Sequence, residues 1–156
     1  MHKYFAILLL LLASIGSAAQ AKKPTKTQSV GREVVIAKDA PKAVGPYSQG
    51  IKTDGFVYTA GQLPLDPATG QLAGNDVATQ TDRVLKNIAA VLNAAGTSMD
   101  RVIKATVFLK NMSDFNAMNE VYGRYFKEDP PARSTIGVNG LARDALVEIE
   151  VVALAK

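Results

Sequence analysis

The sequence predicts an α+β domain: one β-sheet with two helices packed on one of its faces. Three observations carry that expectation. A hairpin signature opens the ordered part of the chain, two stretches repeat their apolar residues at helical spacing, and the final strand is apolar on nearly both sides.

The elements follow in order along the chain. After a polar segment ending near Arg32, "EVVIA" reads as a short strand. In "GPYSQGIKTDGFVYTAG", Asp54-Gly55 is a favoured two-residue turn, so 48–53 and 56–60 pair as a hairpin. Pro64, Pro67, Gly70 and Gly74 mark the next stretch as loop. A helix is expected over 76–95, with Val77, Thr81, Val84, Leu85, Ile88, Val91 and Leu92 on one face and Gly96 closing it. "RVIKATVFLK" alternates as a strand, which predicts Ile103, Ala105, Val107 and Leu109 on one side and Val102, Lys104, Thr106 and Phe108 on the other. Ser113 is the expected cap of a second helix whose apolar stripe carries Phe115, Met118, Tyr122 and Phe126. Pro130-Pro131 stops it, and strands follow near 132–138 and 146–154. The last, "LVEIEVVALA", belongs inside the sheet because a strand apolar on both faces needs cover on both.

Domain organisation is simple. Residues 1–21 have a basic start at Lys3, an apolar run from Phe5 to Ala13 and small residues before Ala19-Gln20-Ala21. That is the pattern of a cleaved signal peptide, and the apolar run is shorter than the roughly 20 residues a membrane span needs. The mature protein is therefore expected in the periplasm or secreted, without stable membrane association. Residues 22–32 read as a flexible polar segment, and 33–156 as one domain.

Composition excludes much chemistry. The net charge of +4 falls to +3 once Lys3 is removed, and its dense patch is confined to Lys22, Lys23 and Lys26. That is not a nucleic-acid footprint. The chain has no cysteine, and its one histidine, His2, leaves with the signal peptide. A serine-histidine triad, a thiolate nucleophile and an ordinary zinc site are all out of reach. No metal and no cofactor is expected, so chemistry must run on carboxylates, arginine, hydroxyls, backbone groups and water.

Two features of the strands bear on that chemistry. Arg133, Thr135 and Gly137 share a face of one strand, while Glu148 and Glu150 share a face of another. Carboxylates on a largely apolar strand need partners, and Arg133, Arg143, Lys104 and Lys110 are the candidates. The strand pattern alone favours an ion pair stitching two strands over a catalytic role. Tyr47 follows a turn, where packing is the ordinary explanation. Gly61 ends a strand, where backbone approaches a ligand closely or simply turns. Asn119 lies inside the second helix near its apolar stripe, and a helix-to-loop hydrogen bond accounts for it.

Together these residues resemble a known family. "GPYSQGI", "VYTAGQLPLDPATG", "ATVFLKNMSDFNAMNEVYGRYF" and "PPARSTIGVNGLARDALVEIE" occur in the order and approximate spacing of the RidA/YjgF proteins, reactive-intermediate deaminases that hydrolyse 2-imino and 2-enamino acids. The resemblance runs from about Ala40 to the C-terminus. It implies a chorismate-mutase-like mixed β-sheet with two helices on one face, assembled as a homotrimer with clefts between subunits. It further implies that Arg133 binds the substrate carboxylate, that Glu148 holds and activates water, and that Tyr47, Gly61, Asn119 and Thr135 line the same cleft. Thr135 stands where many relatives have cysteine, Ala60 where serine is frequent, and the segment between Phe126 and Arg133 is shorter than in many. These departures bear on pocket shape. The alternatives are a non-catalytic binder of small carboxylates on the same scaffold and an RNA-cleaving or translation-inhibiting relative. Export, low charge and the lack of histidine weigh against the last.

Overall fold

The computed structural model describes residues 31–156. The expected signal peptide and residues 22–30 of the polar segment lie outside the described residues. Strands β1 (Glu33–Val35), β2 (Gly50–Thr53) and β3 (Phe56–Thr59) come first, then helix α1 (Val77–Ala94), β4 (Val102–Leu109), α2 (Phe115–Tyr125), β5 (Ala132–Gly137) and β6 (Val147–Leu154). They form one six-stranded sheet in the order β1-β2-β3-β6-β4-β5. All neighbours are antiparallel except β4 and β5, which α2 joins by a crossover. The final strand is central, as expected, although only its helix-facing side is uniformly apolar and the other carries Glu148 and Glu150.

The core lies between the sheet and both helices. Val57 of β3, Ala105, Val107 and Leu109 of β4, and Val147, Ile149 and Val151 of β6 meet Val84, Leu85, Ile88, Val91 and Leu92 of α1 and Met118 and Tyr122 of α2. The alternation expected of β4 holds from Ala105 onward and fails at its start. Its register against β6 shifts between Val102 and Lys104. Val102 is therefore buried, and Ile103, expected on the same side as the buried Ala105, is 40% exposed. An extra residue in one strand sends the preceding side chains to the other face.

The helices start and stop for local reasons. Asp76 caps α1, its carboxylate accepting from the Thr79 amide at 2.8 Å, and Gly96 leaves the helix at φ 78°. At α2 the expected cap is displaced. Ser113 falls within a one-turn 3-10 helix (Met112–Asp114), and Asp114 takes the cap position without a side-chain bond.

The stretch after β3 is more ordered than its prolines and glycines suggest. Gln62 exchanges two backbone bonds with Ile149, at 2.8 and 3.2 Å. From α1, the buried Asn87 amide donates to the carbonyls of Leu63 and Leu65 at 3.0 and 2.9 Å. Both ties hold the backbone at Gly61 against β6.

Candidate active site

Strand β5 and helix α2 build one cluster. Arg133 lies opposite Ala105 and Thr135 opposite Val107 in the β4–β5 register. Residues paired across strands share a face, and Ala105 and Val107 are fully buried on the helix side. Arg133 and Thr135 therefore face the helix layer. Phe115, Asn119 and Tyr122 come from successive turns of α2, spaced to share one side. The Arg133 guanidinium donates through Nη2 to Asn119 Oδ1 at 2.7 Å. Its Cζ stands 4.5 Å from the centroid of the Tyr122 ring and 5.8 Å from that of Phe115. The Thr135 hydroxyl is buried without a hydrogen-bond partner.

The strand-stitching ion pair is absent. Among the described residues, no carboxylate pairs with Arg133, and neither Glu148 nor Glu150 has an ion-pair partner. Two of the other candidate cations go elsewhere: Lys104 donates to Ser134 Oγ at 2.8 Å, and Lys110 pairs with Asp144. The amide of Asn119, expected to reach a loop, is exposed and accepts from Arg133 instead.

Strand β6 carries the second cluster. Glu148 lies opposite Phe108, which lies opposite Ile136. That row alternates with the buried one and belongs to the sheet face turned away from the helices. Glu148 is half-buried there. Its burial, and secondarily the neighbouring Glu150 carboxylate, push its pKa above the ordinary carboxylate value. Gly61 packs against it. A Cβ at that position would overlap Glu148 Oε1 and come within 2.9 Å of its Cδ, so any larger residue would push the carboxylate out of this position. Gly61 and Tyr47 line a cavity of about 290 Å³ together with Gln62, Leu63, Ala142 and Arg143. Tyr47 is 52% exposed, and its hydroxyl accepts a long bond from the Val44 amide at 3.4 Å.

The expected site residues thus form two groups. Arg133, Asn119 and Thr135 stand together on the helix side. Glu148, Gly61 and Tyr47 belong to the other. Arg133 and Glu148 project from opposite faces of one sheet, so a single subunit does not turn both toward one small molecule. Sequence reasoning missed Tyr122 and Phe115, which it assigned to the apolar stripe of α2. The available signal was their spacing: four residues before and three after Asn119.

The fold and these clusters define a small mixed-sheet α+β domain with an arginine held by a helix face and a half-buried carboxylate on its central strand. The chain belongs to the family described as Endoribonuclease L-PSP, the RidA/YjgF family, whose model matches residues 37–155. A RutC family protein of Pyrococcus horikoshii is 52% identical over 122 residues, covering 78% of this chain and 97% of the relative. The chloroplastic Reactive Intermediate Deaminase A of Arabidopsis thaliana is 41% identical over 149 residues, covering 96% of this chain and 80% of the relative. Among solved structures, TdcF of E. coli with bound serine matches with a TM-score of 0.76 and 38% identity, covering 80% of this chain and 99% of that one.

Proposed function

We propose that the protein hydrolyses 2-imino and 2-enamino acids to 2-keto acids and ammonia. The observation that carries this reading is the Arg133 guanidinium. It is fixed on one edge by Asn119 and lies over aromatic rings, and among the described residues no acidic side chain engages it. Guanidinium binds a planar carboxylate through two parallel hydrogen bonds. Two relatives lend support: one is named a reactive intermediate deaminase, and the other was solved with serine, itself a small carboxylated molecule.

The reaction asks little more of the protein. With the substrate carboxylate on Arg133, the protonated imine carbon is already electrophilic. Water adds its oxygen to that carbon while Glu148 takes a water proton and the C=N π pair moves to nitrogen. The proton then passes from Glu148 to the nitrogen, the C–N bond breaks, and ammonia leaves as the hydroxyl gives its proton to the freed Glu148 carboxylate and becomes the keto oxygen. That proton goes on to the departing ammonia, which restores the carboxylate. Raised above the ordinary carboxylate value by burial, Glu148 is a stronger base for the first transfer than an exposed glutamate. Gly61 and Tyr47 border the water side. Because Arg133 and Glu148 face opposite ways, the reading requires a homotrimer in which Arg133 of one subunit meets Glu148 of its neighbour. Separately, the signal-peptide pattern of residues 1–21 supports a mature chain that begins near Lys22 and lies outside the cytoplasm.

An ammonia-release assay tests the activity, using purified mature protein and imines generated in situ by an amino-acid oxidase. Accelerated release from alanine- or leucine-derived imines is expected. Carboxylate binding without acceleration would leave the non-catalytic binder in its place.

A further inference from the structure

We propose that Tyr122 is a positioning residue for Arg133: its ring fixes the plane of the guanidinium so that the free in-plane N–H edge meets a substrate carboxylate. The inference rests on the deaminase reading but concerns carboxylate recognition alone. Tyr122 is 4% exposed and lies one helical turn from Asn119. A cation 4.5 Å from a ring centroid is well inside cation–π range, and Phe115 at 5.8 Å is within it. Burial raises the phenol to about 12, with the nearby guanidinium opposing the rise. Tyr122 is therefore neutral at physiological pH, and the contact is ring to cation rather than ion to ion.

The geometry divides the work. The ring restrains the guanidinium face, and Asn119 Oδ1 takes one of its five N–H groups at 2.7 Å. What remains is a planar fork of fixed orientation. Without the ring, Arg133 keeps its charge and its bond to Asn119 yet swings about that bond, and the paired geometry is lost. The Tyr122 hydroxyl has no part in this. It is buried without a hydrogen-bond partner, so its removal leaves the ring in place and relieves an unpaired polar group.

The test compares Tyr122→Phe with Tyr122→Leu, both checked for native circular dichroism. Should the leucine variant fail to fold, Tyr122→Met takes its place. Calorimetric titration with 2-oxobutanoate should give a Kd about 5- to 30-fold weaker for the leucine variant, with the phenylalanine variant restored close to wild type. For turnover, kcat/KM is measured on an amino-acid-derived imine and on a carboxylate-free imine. The ratio between them should fall in the leucine variant by a similar factor, which loss of general stability does not produce. An unchanged Kd and ratio in the leucine variant would overturn the inference while leaving the deaminase intact. The expected loss of binding in a protein that releases no ammonia would uphold the inference and sink the deaminase. A wild type that neither bound the keto acid nor released ammonia would overturn both.

Discussion

Two side chains divide the proposed chemistry, and each makes a separate prediction. Arg133→Ala should leave folding and assembly intact, because Arg133 holds no carboxylate among the described residues. It should lower kcat/KM by about 30- to several-thousand-fold, the range for losing a charge-assisted pair worth about 2–5 kcal/mol. Arg133→Lys should recover little, since an ammonium has no planar fork. A loss of stability in step with activity would return Arg133 to a structural role. Glu148 predicts a pH profile. As a base it works deprotonated, and its raised pKa means that it protonates at higher pH than an ordinary carboxylate. Turnover should therefore fall as pH drops, with the acid limb above 4.5, the ordinary glutamate value. Glu150→Gln removes the neighbouring charge and should move that limb to lower pH, whereas Glu148→Gln should cut kcat at every pH. A limb unmoved in Glu150→Gln would refute the coupling. Sequence pattern made Arg133 and Glu148 visible as charges on apolar strands. It could not show their faces, because those depend on the registers of β4 with β5 and β6, and no local pattern encodes pairings between distant strands.

At the scale of elements, periodicity was a reliable guide wherever one side of an element is uniformly apolar. The stripe of α1, the hairpin around Asp54-Gly55 and the central place of β6 are all found as expected. The failures have physical causes. The bulge at Ile103 is a feature of pairing with β6, and the turn before α2 moves its cap from Ser113 to Asp114. Asn87 is the most instructive omission. An amide reads as solvent-facing, yet it is 1% exposed and ties α1 to the carbonyls of Leu63 and Leu65. Asn87→Ala strands two carbonyls and should cost about 2–4 kcal/mol in denaturant unfolding. Because the same loop presses Gly61 against Glu148, activity should fall as well in the fraction that remains folded. Faster amide exchange around Gln62 and Leu63 than in wild type would report that loosening directly. Unchanged exchange would show that the bonds between Gln62 and Ile149 hold the loop without help from α1.

For the whole molecule, the sheet face turned away from the helices decides the argument. It presents Phe56, Tyr58, Phe108, Ile136, Val152 and Leu154 around Lys104, Thr106, Glu148 and Glu150, and Phe56, Tyr58, Ile136 and Leu154 are among the exposed large apolar residues. A face of that character favours association. Assembly about a threefold axis repeats one heterologous contact, so that each subunit offers one surface to its left neighbour and another to its right. In the proposed trimer each site takes Arg133 from one subunit and Glu148 from the next. Light scattering should then give three times the subunit mass, and Tyr58→Glu should release folded, inactive monomers. The sharper test mixes two inactive variants. Arg133→Ala and Glu148→Gln trimers, dissociated together in equal amounts and reassembled, place an intact arginine beside an intact glutamate by chance. Half the subunits supply the arginine, and half of their neighbours supply the glutamate, so about a quarter of the sites should be whole. Activity should therefore return to roughly a quarter of the wild-type level. If both residues of a site came from one subunit, no mixture of these variants would contain an intact site, and activity would stay at the level of the variants alone.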